Sequence, residues 1–264
     1  HFGLFLHPED VVSADSILSR RMLFLLSKSG NMFGYRLSES IKAISVCLDN
    51  LNPDDVFNIV ISAYNAYRWR NSPVVADSQN IAAAKAFLEG VTSGSGSRLE
   101  LAIEACLDQM ATDHRANSIL CFSDGASALD PMEIAQKNTH NTGIFPVGIG
   151  ENLYRERLEM LAAYNYGFVT YIDDEDNIHS EIMNLFNQVS RPVLKEVALE
   201  YGRADLNRIL PVKPRATYAG SYFFMTGRYQ NPGQSTLTLA GMSRQGDRIY
   251  DFTLNFSEGR QDKF

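Results

Sequence analysis

The sequence predicts an α/β protein, with a doubly wound, mostly parallel sheet that is inserted in or followed by a small all-β, sandwich-like module. Three observations lead to this fold class. A short, wholly apolar run from Met22 to Leu26 stops at a loop of small polar residues, as do strands buried on both faces of a parallel sheet. Strand and helix patterns alternate from residue 20 to residue 190. After Arg191-Pro192 the helical pattern ends, and single apolar residues alternate with polar ones.

The α/β region is expected to span residues 20–190. Its predicted strands cover 21–27, 55–62, 117–123, 143–149 and 167–172. Its predicted helices cover 35–50, 78–90, 97–110, 130–141, 153–165 and 176–189. In the first of these helices, Leu37, Ile41 and Ile44 recur at three- and four-residue spacing, which gives one apolar stripe. Short connections between such elements imply a parallel sheet that helices cover on both faces.

Residues 191–264 are expected to form the all-β module. Strands are predicted from Val193 to Tyr201 and over 221–229, 235–240 and 248–256, separated by turn signals at 231–233 and 245–247. A further strand is predicted over 2–7, outside the α/β pattern. We expect it to pair into the β module, so that residues 1–19, with 8–19 as a linker, belong to that module and the α/β domain interrupts it.

Composition excludes several classes of protein. The chain has 264 residues and a formal net charge of -7, which argues against a nucleic-acid partner and against an anionic membrane surface. No apolar stretch approaches the ~18 residues that a membrane span needs, so no membrane insertion is expected. The N-terminus has no basic region before its apolar residues and is not expected to be a signal peptide. Because the chain begins without Met and inside a strand-like run, we expect it to be a piece of a longer protein.

Three polar segments follow predicted strands or precede a predicted helix. The first is the loop from Ser27 to Asn31, the second is Ser95-Gly96-Ser97, and the third is Phe122-Ser123-Asp124-Gly125. Open α/β sheets place their ligand sites at the carboxyl ends of their strands. We therefore expect the three segments to meet at one edge of the sheet.

These segments resemble the metal-ion-dependent adhesion site (MIDAS) of von Willebrand factor A domains. The family pattern is Asp-x-Ser-x-Ser, and here Ser27 holds the Asp position and Asn31 the last Ser position. Ser97 is similar to the family's Thr, and Asp124 to its second carboxylate. The resemblance implies a von Willebrand A, Rossmann-like architecture with a degenerate site made of Ser27, Ser29, Asn31, Ser97 and Asp124.

A finer resemblance is to inter-alpha-trypsin inhibitor heavy chains and their bacterial relatives, the family with a VIT domain and a von Willebrand A domain. It rests on the segments Leu51 to Val60, Val189 to Leu194 and Tyr218 to Ser221. The N-terminal domain of that family would lie before His1. The resemblance implies an exported or cell-surface protein.

The charge of the residues at the matched positions determines how strongly the site could bind a divalent metal ion. Intact sites offer two carboxylates to Mg²⁺ or Mn²⁺, but only Asp124 is charged here. Lys28 adds a positive charge, with a side chain that should point off the site. The expectation is therefore no cofactor, or weakly bound Mg²⁺ or Mn²⁺. A simpler interpretation is a helix-capping turn whose hydroxyls satisfy backbone donors.

Other candidates are weaker. Trp69 and Arg70 lie in a predicted loop, where half-buried packing competes with a role in partner binding. The cysteines at 47, 106 and 121 are expected to be buried and to form neither disulfide nor zinc site. The histidines have no ligand spacing, and the acidic run 173–176 is expected to cap a helix. Gly94-Ser95-Gly96 lacks the residues of a phosphate loop.

The leading functional hypothesis is a non-enzymatic module for protein–protein interaction or adhesion, with recognition that does not depend on a metal. One alternative is a structural scaffold of a larger surface or secreted protein. Another is weak Mg²⁺- or Mn²⁺-dependent ligand binding. A hydrolase using Ser29 or Ser97 is disfavoured, because no recognisable motif places a base near either serine.

Overall fold

The computed structural model of the chain describes residues 1–6, 13–94, 96–173, 178–202, 205–211, 213–220 and 222–257. The predictions for Ser95, for Ser221, for most of the acidic run (174–176), for His7 and for 8–12 of the linker fall outside these ranges. The chain forms two compact units. One is Ser19–Ser190, and the other joins His1–Leu18 to Arg191–Phe264.

Fourteen strands and six α-helices lie in the described residues. The strands are β1 (Phe2–Leu6), β2 (Arg20–Ser27), β3 (Val56–Ser62), β4 (Ala66–Arg68), β5 (Val74–Val75), β6 (Ala116–Phe122), β7 (Gly143–Ile149), β8 (Thr170–Ile172), β9 (Pro192–Glu200), β10 (Leu206–Leu210), β11 (Thr217–Tyr218), β12 (Phe223–Tyr229), β13 (Gly233–Ser243) and β14 (Gly246–Phe256). The helices are α1 (Tyr35–Asp49), α2 (Ser78–Glu89), α3 (Leu99–Leu107), α4 (Pro131–Lys137), α5 (Arg155–Tyr164) and α6 (Ile178–Ser190).

The α/β unit contains one seven-stranded sheet in the order β4-β3-β2-β6-β7-β8, with β5 also paired to β3. The strands from β3 to β8 in this order run parallel, which confirms the predicted parallel sheet. The short strands β4 and β5 were not predicted, and they pair antiparallel with β3. The sheet is therefore mixed only at one edge.

Strand β8 begins at Thr170, later than the predicted residue 167. The cause lies at Gly167, whose N–H donates to the carbonyl of Ala162 and so closes the end of α5. A Cβ atom on Gly167 would lie 1.7 Å from the carbonyl oxygen of Ile144. Only glycine fits this close backbone approach, and the strand begins after it.

Helices cover both faces of this sheet. Helix α1 packs against α2 and α6, whereas α3 packs against α4, and α4 against α5. Between the two layers, the side chains from Met22 to Leu26 have no exposed surface. The central strand is thus apolar along its whole length because both of its faces are core.

The β unit contains two antiparallel sheets, β1-β12-β10 and β11-β9-β13-β14. Strand β1 pairs with β12, Phe2 opposite Gly227. The strands β10 and β11 were not predicted. The turn signal at 231–233 falls where the chain passes from β12 in one sheet to β13 in the other, so it does not mark a hairpin. A two-residue turn after Ser243 does join β13 to β14.

A buried ion pair lies at the amino-terminal end of the central strands β2 and β3. The Arg20 backbone N–H and its Nε donate to the two carboxylate oxygens of Asp55, over 2.7 and 2.9 Å. Asp55 also accepts from the backbone N–H of Asn52, and the Arg20 guanidinium stacks over the ring of Phe186. Both charged side chains are buried, so each depends on the other for its hydrogen bonds.

We predict that Asp55→Asn lowers the free energy of unfolding by about 3–5 kcal/mol, because it leaves the Arg20 charge buried without a counterion. Urea denaturation, followed by the fluorescence of Trp69, the single tryptophan of the chain, measures this. The matched control is Asp49→Asn, which breaks the exposed pair with Lys85 and should cost no more than about 1 kcal/mol. Equal losses in the two variants would contradict the prediction.

Candidate functional site

The parallel register of the sheet brings polar residues together at its carboxyl edge. Ser27, the last residue of β2, is paired in register with Ser62, the last residue of β3. On the other side of β2, Leu26 is paired with Phe122, the last residue of β6. Residues 27, 62 and 123 therefore reach the same level of the sheet, and the loops that follow them share one edge.

Three serine hydroxyls form a connected hydrogen-bond chain at this edge. The Ser97 hydroxyl lies 3.1 Å from that of Ser27 and 2.8 Å from that of Ser62. The backbone N–H of Ser29 donates to the Ser27 hydroxyl over 3.4 Å. Ser62 was missed at the sequence level, because a serine that ends an apolar strand gives no signal until the register is known.

Asp124 is the charged member of the cluster and is 1% exposed. Its Oδ1 accepts hydrogen bonds from the Ser29 hydroxyl and from the backbone N–H of Ala126, both over 3.3 Å. Its Oδ2 is buried and has no hydrogen-bond partner among the described residues. The structure thus brings together four of the five predicted site residues, Ser27, Ser29, Ser97 and Asp124.

Asn31, the fifth, is placed differently. It is exposed, within a short 3₁₀ turn over Gly30–Met32, and its carbonyl accepts a hydrogen bond from Arg36. No hydrogen bond in the described structure joins its side chain to the serines or to Asp124. The capping interpretation is wrong for Ser29, whose side chain makes no cap hydrogen bond and bonds to Asp124 instead.

The loop that carries Asp124 is held from outside. Arg157 Nη1 donates to the carbonyls of Gly125, Ala126 and Ser127, over 2.6, 3.0 and 3.2 Å. The Ser127 hydroxyl donates to the Ser97 carbonyl over 2.7 Å, which ties this loop to the neighbouring one. The charged carboxyl is therefore positioned by a fixed backbone.

The donor set does not match a divalent cation that needs two carboxylates. Asp124 is the single carboxylate of the cluster, and no group of three or more His, Cys, Asp or Glu suitable for a metal occurs in the described ranges. The hydroxyls of Ser27, Ser62 and Ser97 already bond to one another. Among the carboxylate oxygens of the described cluster, Oδ2 of Asp124 is buried and has no hydrogen-bond partner, so it is free to meet a cation.

Within the described residues, Ser29 bonds directly to the Asp124 carboxylate, and no imidazole lies between them to accept the serine proton. The three cysteines are buried, as predicted. Burial raises the pKa of the Cys47 and Cys121 thiols to about 12, so that both are protonated near neutral pH.

Trp69 and Arg70 lie beside β4, away from the serine cluster. The Trp69 ring is half-buried and stacks on Phe57, with centroids 5.7 Å apart and planes 16° apart. It also contacts Phe87. The Arg70 guanidinium covers the Trp69 ring at 4.5 Å. Packing accounts for the position of Trp69, and Arg70 remains exposed.

The loops at the carboxyl edge carry three of the more exposed aromatic rings of the unit. Phe33, from the loop after β2, is 75% exposed, and Tyr64, after β3, is 73% exposed. Tyr154, after β7, is 51% exposed, and its backbone N–H donates to the Asp124 carbonyl. Sequence analysis missed these rings, because only the topology shows that three separate loops share one edge.

A family model described as von Willebrand factor type A domain matches residues 20–171. Mouse inter-alpha-trypsin inhibitor heavy chain H2 is 26% identical over 242 residues, which are 86% of this chain and 26% of the relative. The chain thus spans about a quarter of the length of that curated relative.

Solved structures agree with the fold. A von Willebrand factor type A protein from Catenulispora acidiphila matches with a TM-score of 0.74 and 14% identity, over 98% of this chain and 74% of its own. Proximal thread matrix protein 1 from the mussel byssus, in a structure with a zinc-occupied MIDAS motif, matches with a TM-score of 0.52 and 14% identity, over 69% of this chain and 48% of its own. These likenesses confirm the predicted fold class and family resemblance.

We predict that Arg157→Ala loosens the loop that carries Asp124. It removes a charged donor from three carbonyls, and hydrogen bonds of this kind contribute about 1.5–3 kcal/mol. Amide hydrogen exchange at Gly125 and Ala126 should therefore become at least about tenfold faster. Arg155→Ala, two residues earlier and paired with Asp173, is the control. Unchanged exchange in Arg157→Ala would show that the loop holds its conformation without this side chain.

Proposed function

We propose, from the premise that this chain belongs to the von Willebrand factor type A domain family, that it is a non-enzymatic protein-binding module. The proposed binding surface is the carboxyl edge of the α/β sheet. We also propose that the two compact units correspond to two domains. The α/β domain would span 20–190, and the β domain would be formed by 1–19 and 191–264. Likeness to inter-alpha-trypsin inhibitor heavy chains supports an exported or cell-surface protein.

One observation carries the proposed surface: three exposed aromatic rings, Phe33, Tyr64 and Tyr154, leave three different loops at the same sheet edge. Large aromatic side chains contribute disproportionately to protein interfaces. The same edge carries the serine cluster and one carboxylate, so it offers both apolar area and polar groups that can fix orientation. The predicted contacts Trp69 and Arg70 remain a second, flanking part of the proposal.

We propose that recognition at this edge does not require a metal. Ser27 stands where the family pattern has Asp, and its hydroxyl bonds to Ser97. A pair of unit charges about 4 Å apart is worth about 4 kcal/mol at an effective dielectric constant near 20, and a dication doubles that term. A site that lacks one carboxylate is therefore weakened by several powers of ten in affinity.

A second candidate is weak Mg²⁺- or Mn²⁺-dependent binding. The buried Asp124 Oδ2 favours it, because an unpartnered carboxylate oxygen costs free energy that a cation would recover. In that case Asp124, Ser29 and Ser97 would hold the ion, which would supply an open coordination position to a partner's carboxylate.

Calorimetric titration with Mg²⁺ and Mn²⁺ separates the two candidates. We predict no binding by the unchanged chain below about 1 mM, and binding at or below that concentration by Ser27→Asp, which supplies the second carboxylate. Ser38→Asp on the exposed face of α1 is the control for added charge. Submillimolar binding by the unchanged chain would establish the second candidate instead.

Quantitative affinity capture tests the surface itself. We predict that Phe33→Ser combined with Tyr64→Ser abolishes capture of the partners that the unchanged chain retains in EDTA, because each ring loses its apolar contact area. Val75→Ser is the matched control. It removes a 50% exposed apolar side chain at the opposite edge, where Val75 pairs with the first residue of β3. Capture that survives the double substitution would contradict the proposed surface.

A further inference from the structure

The cations of the α/β unit are distributed unevenly. Most of its lysine and arginine side chains lie within ion-pair distance of a carboxylate. Five have no such partner in the part of the chain that the structure describes: Lys28, Arg36, Arg70, Arg98 and Arg157. Arg70 covers Trp69. The other four belong to segments at the carboxyl edge of the sheet.

Two of these four cations are engaged by the protein's own backbone. Arg36 donates to the carbonyls of Asn31 and Glu151, and Arg157 donates to three carbonyls of the Asp124 loop. Lys28 and Arg98 differ from them. Within the described ranges, neither charged end donates a hydrogen bond or faces a carboxylate.

Lys28 and Arg98 each directly follow a serine of the connected hydroxyl chain. The hydroxyls of those serines, Ser27 and Ser97, are 3.1 Å apart. The Lys28 ammonium lies over Gly94, 3.5 Å from where a Cβ would be. Glycine at this position leaves room for the lysine stem on the loop that ends at Arg98.

Among the residues that the structure describes, no acidic side chain of the same edge forms an ion pair with Lys28 or Arg98. Asp124 is buried and bonds to Ser29. Asp130 accepts from the first backbone N–H groups of α4. Glu151 belongs to the segment that meets Arg36. On a chain of net charge -7, two cations without an ion-pair partner in the described residues, on two loops of the same edge, favour an incoming anion there.

We propose that Lys28 and Arg98 bind a carboxylate of an acidic segment of the protein partner directly, with no bridging metal. The proposal rests on the proposed function, since it names the chemistry of the partner at that surface. Arg98 offers a planar fork that matches a carboxylate, and Lys28 offers a compact charge on the loop that precedes α1. The exposed rings of Phe33 and Tyr64 then contact the apolar residues around the acidic one. A single pair of cations on an acidic chain suits one or two carboxylates better than a nucleic-acid backbone.

Fluorescence polarisation with a labelled hexaglutamate peptide tests this, in EDTA and at low salt. We expect binding with a Kd below about 1 mM, and a loss of at least about tenfold in Lys28→Gln combined with Arg98→Gln. The control is Lys42→Gln combined with Lys85→Gln, which removes the same charge from side chains that are ion-paired elsewhere. This control should change the Kd by less than about twofold. Trp69 fluorescence checks that each variant is folded.

Several results would overturn the proposal. Absence of hexaglutamate binding, equal loss in the two double variants, loss of binding in EDTA, or tighter binding of a labelled single-stranded oligonucleotide would each do so. The capture experiment separates this failure from that of the proposed surface. Capture that needs Phe33 and Tyr64 but ignores Lys28 and Arg98 would retain the surface and reject the acidic partner.

Discussion

The in-register parallel pairing of β3, β2 and β6 is the constraint on which the candidate site depends. It sets Ser27 beside Ser62 and ends β6 one residue before Ser123, so that the loops leaving three strands begin at one level. A slip of one residue would turn every side chain of the central strand to the other face. Both faces of β2 are closely packed against the core, so a slip would misfit its buried side chains, and the packing of the core thereby fixes the level at which the polar loops begin.

The same strands are anchored at their amino ends by a different interaction. There Arg20 and Asp55 satisfy each other in a site closed to water, whereas at the carboxyl edge Asp124 is buried with one oxygen unpartnered. Both oxygens of Asp55 are thus hydrogen-bonded within the protein, whereas one oxygen of Asp124 has no partner among the described residues. Asp55 and Asp124 are both buried, so burial does not distinguish the two ends of the sheet. The number of hydrogen-bonded carboxylate oxygens does.

Much of this could be predicted from the sequence, and the failures have physical causes. The long helices and buried strands carry strong periodic patterns, and the meeting of Ser27, Ser97 and Asp124 follows from strand order. Ser62 was missed because its role depends on register. The short strands β4 and β5 were missed because two or three residues carry no period, whereas Trp69 does lie in a loop, directly after β4. Asn31 matched a family position in sequence, but its side chain follows the local 3₁₀ turn.

The pairing of β1 with β12 has a consequence for the order in which the chain acquires structure. The two strands are separated in sequence by the whole α/β unit, so closing their contact requires a long loop whose closure is entropically costly until that unit is compact. During synthesis, the α/β unit is complete before β12 emerges. Until then, the backbone groups of β1 that later bond to β12 have no strand partner. Early folding of the α/β unit shortens the distance that β1 must search. The order in which the two units fold thus follows from the position of the α/β unit between β1 and β12 in the sequence.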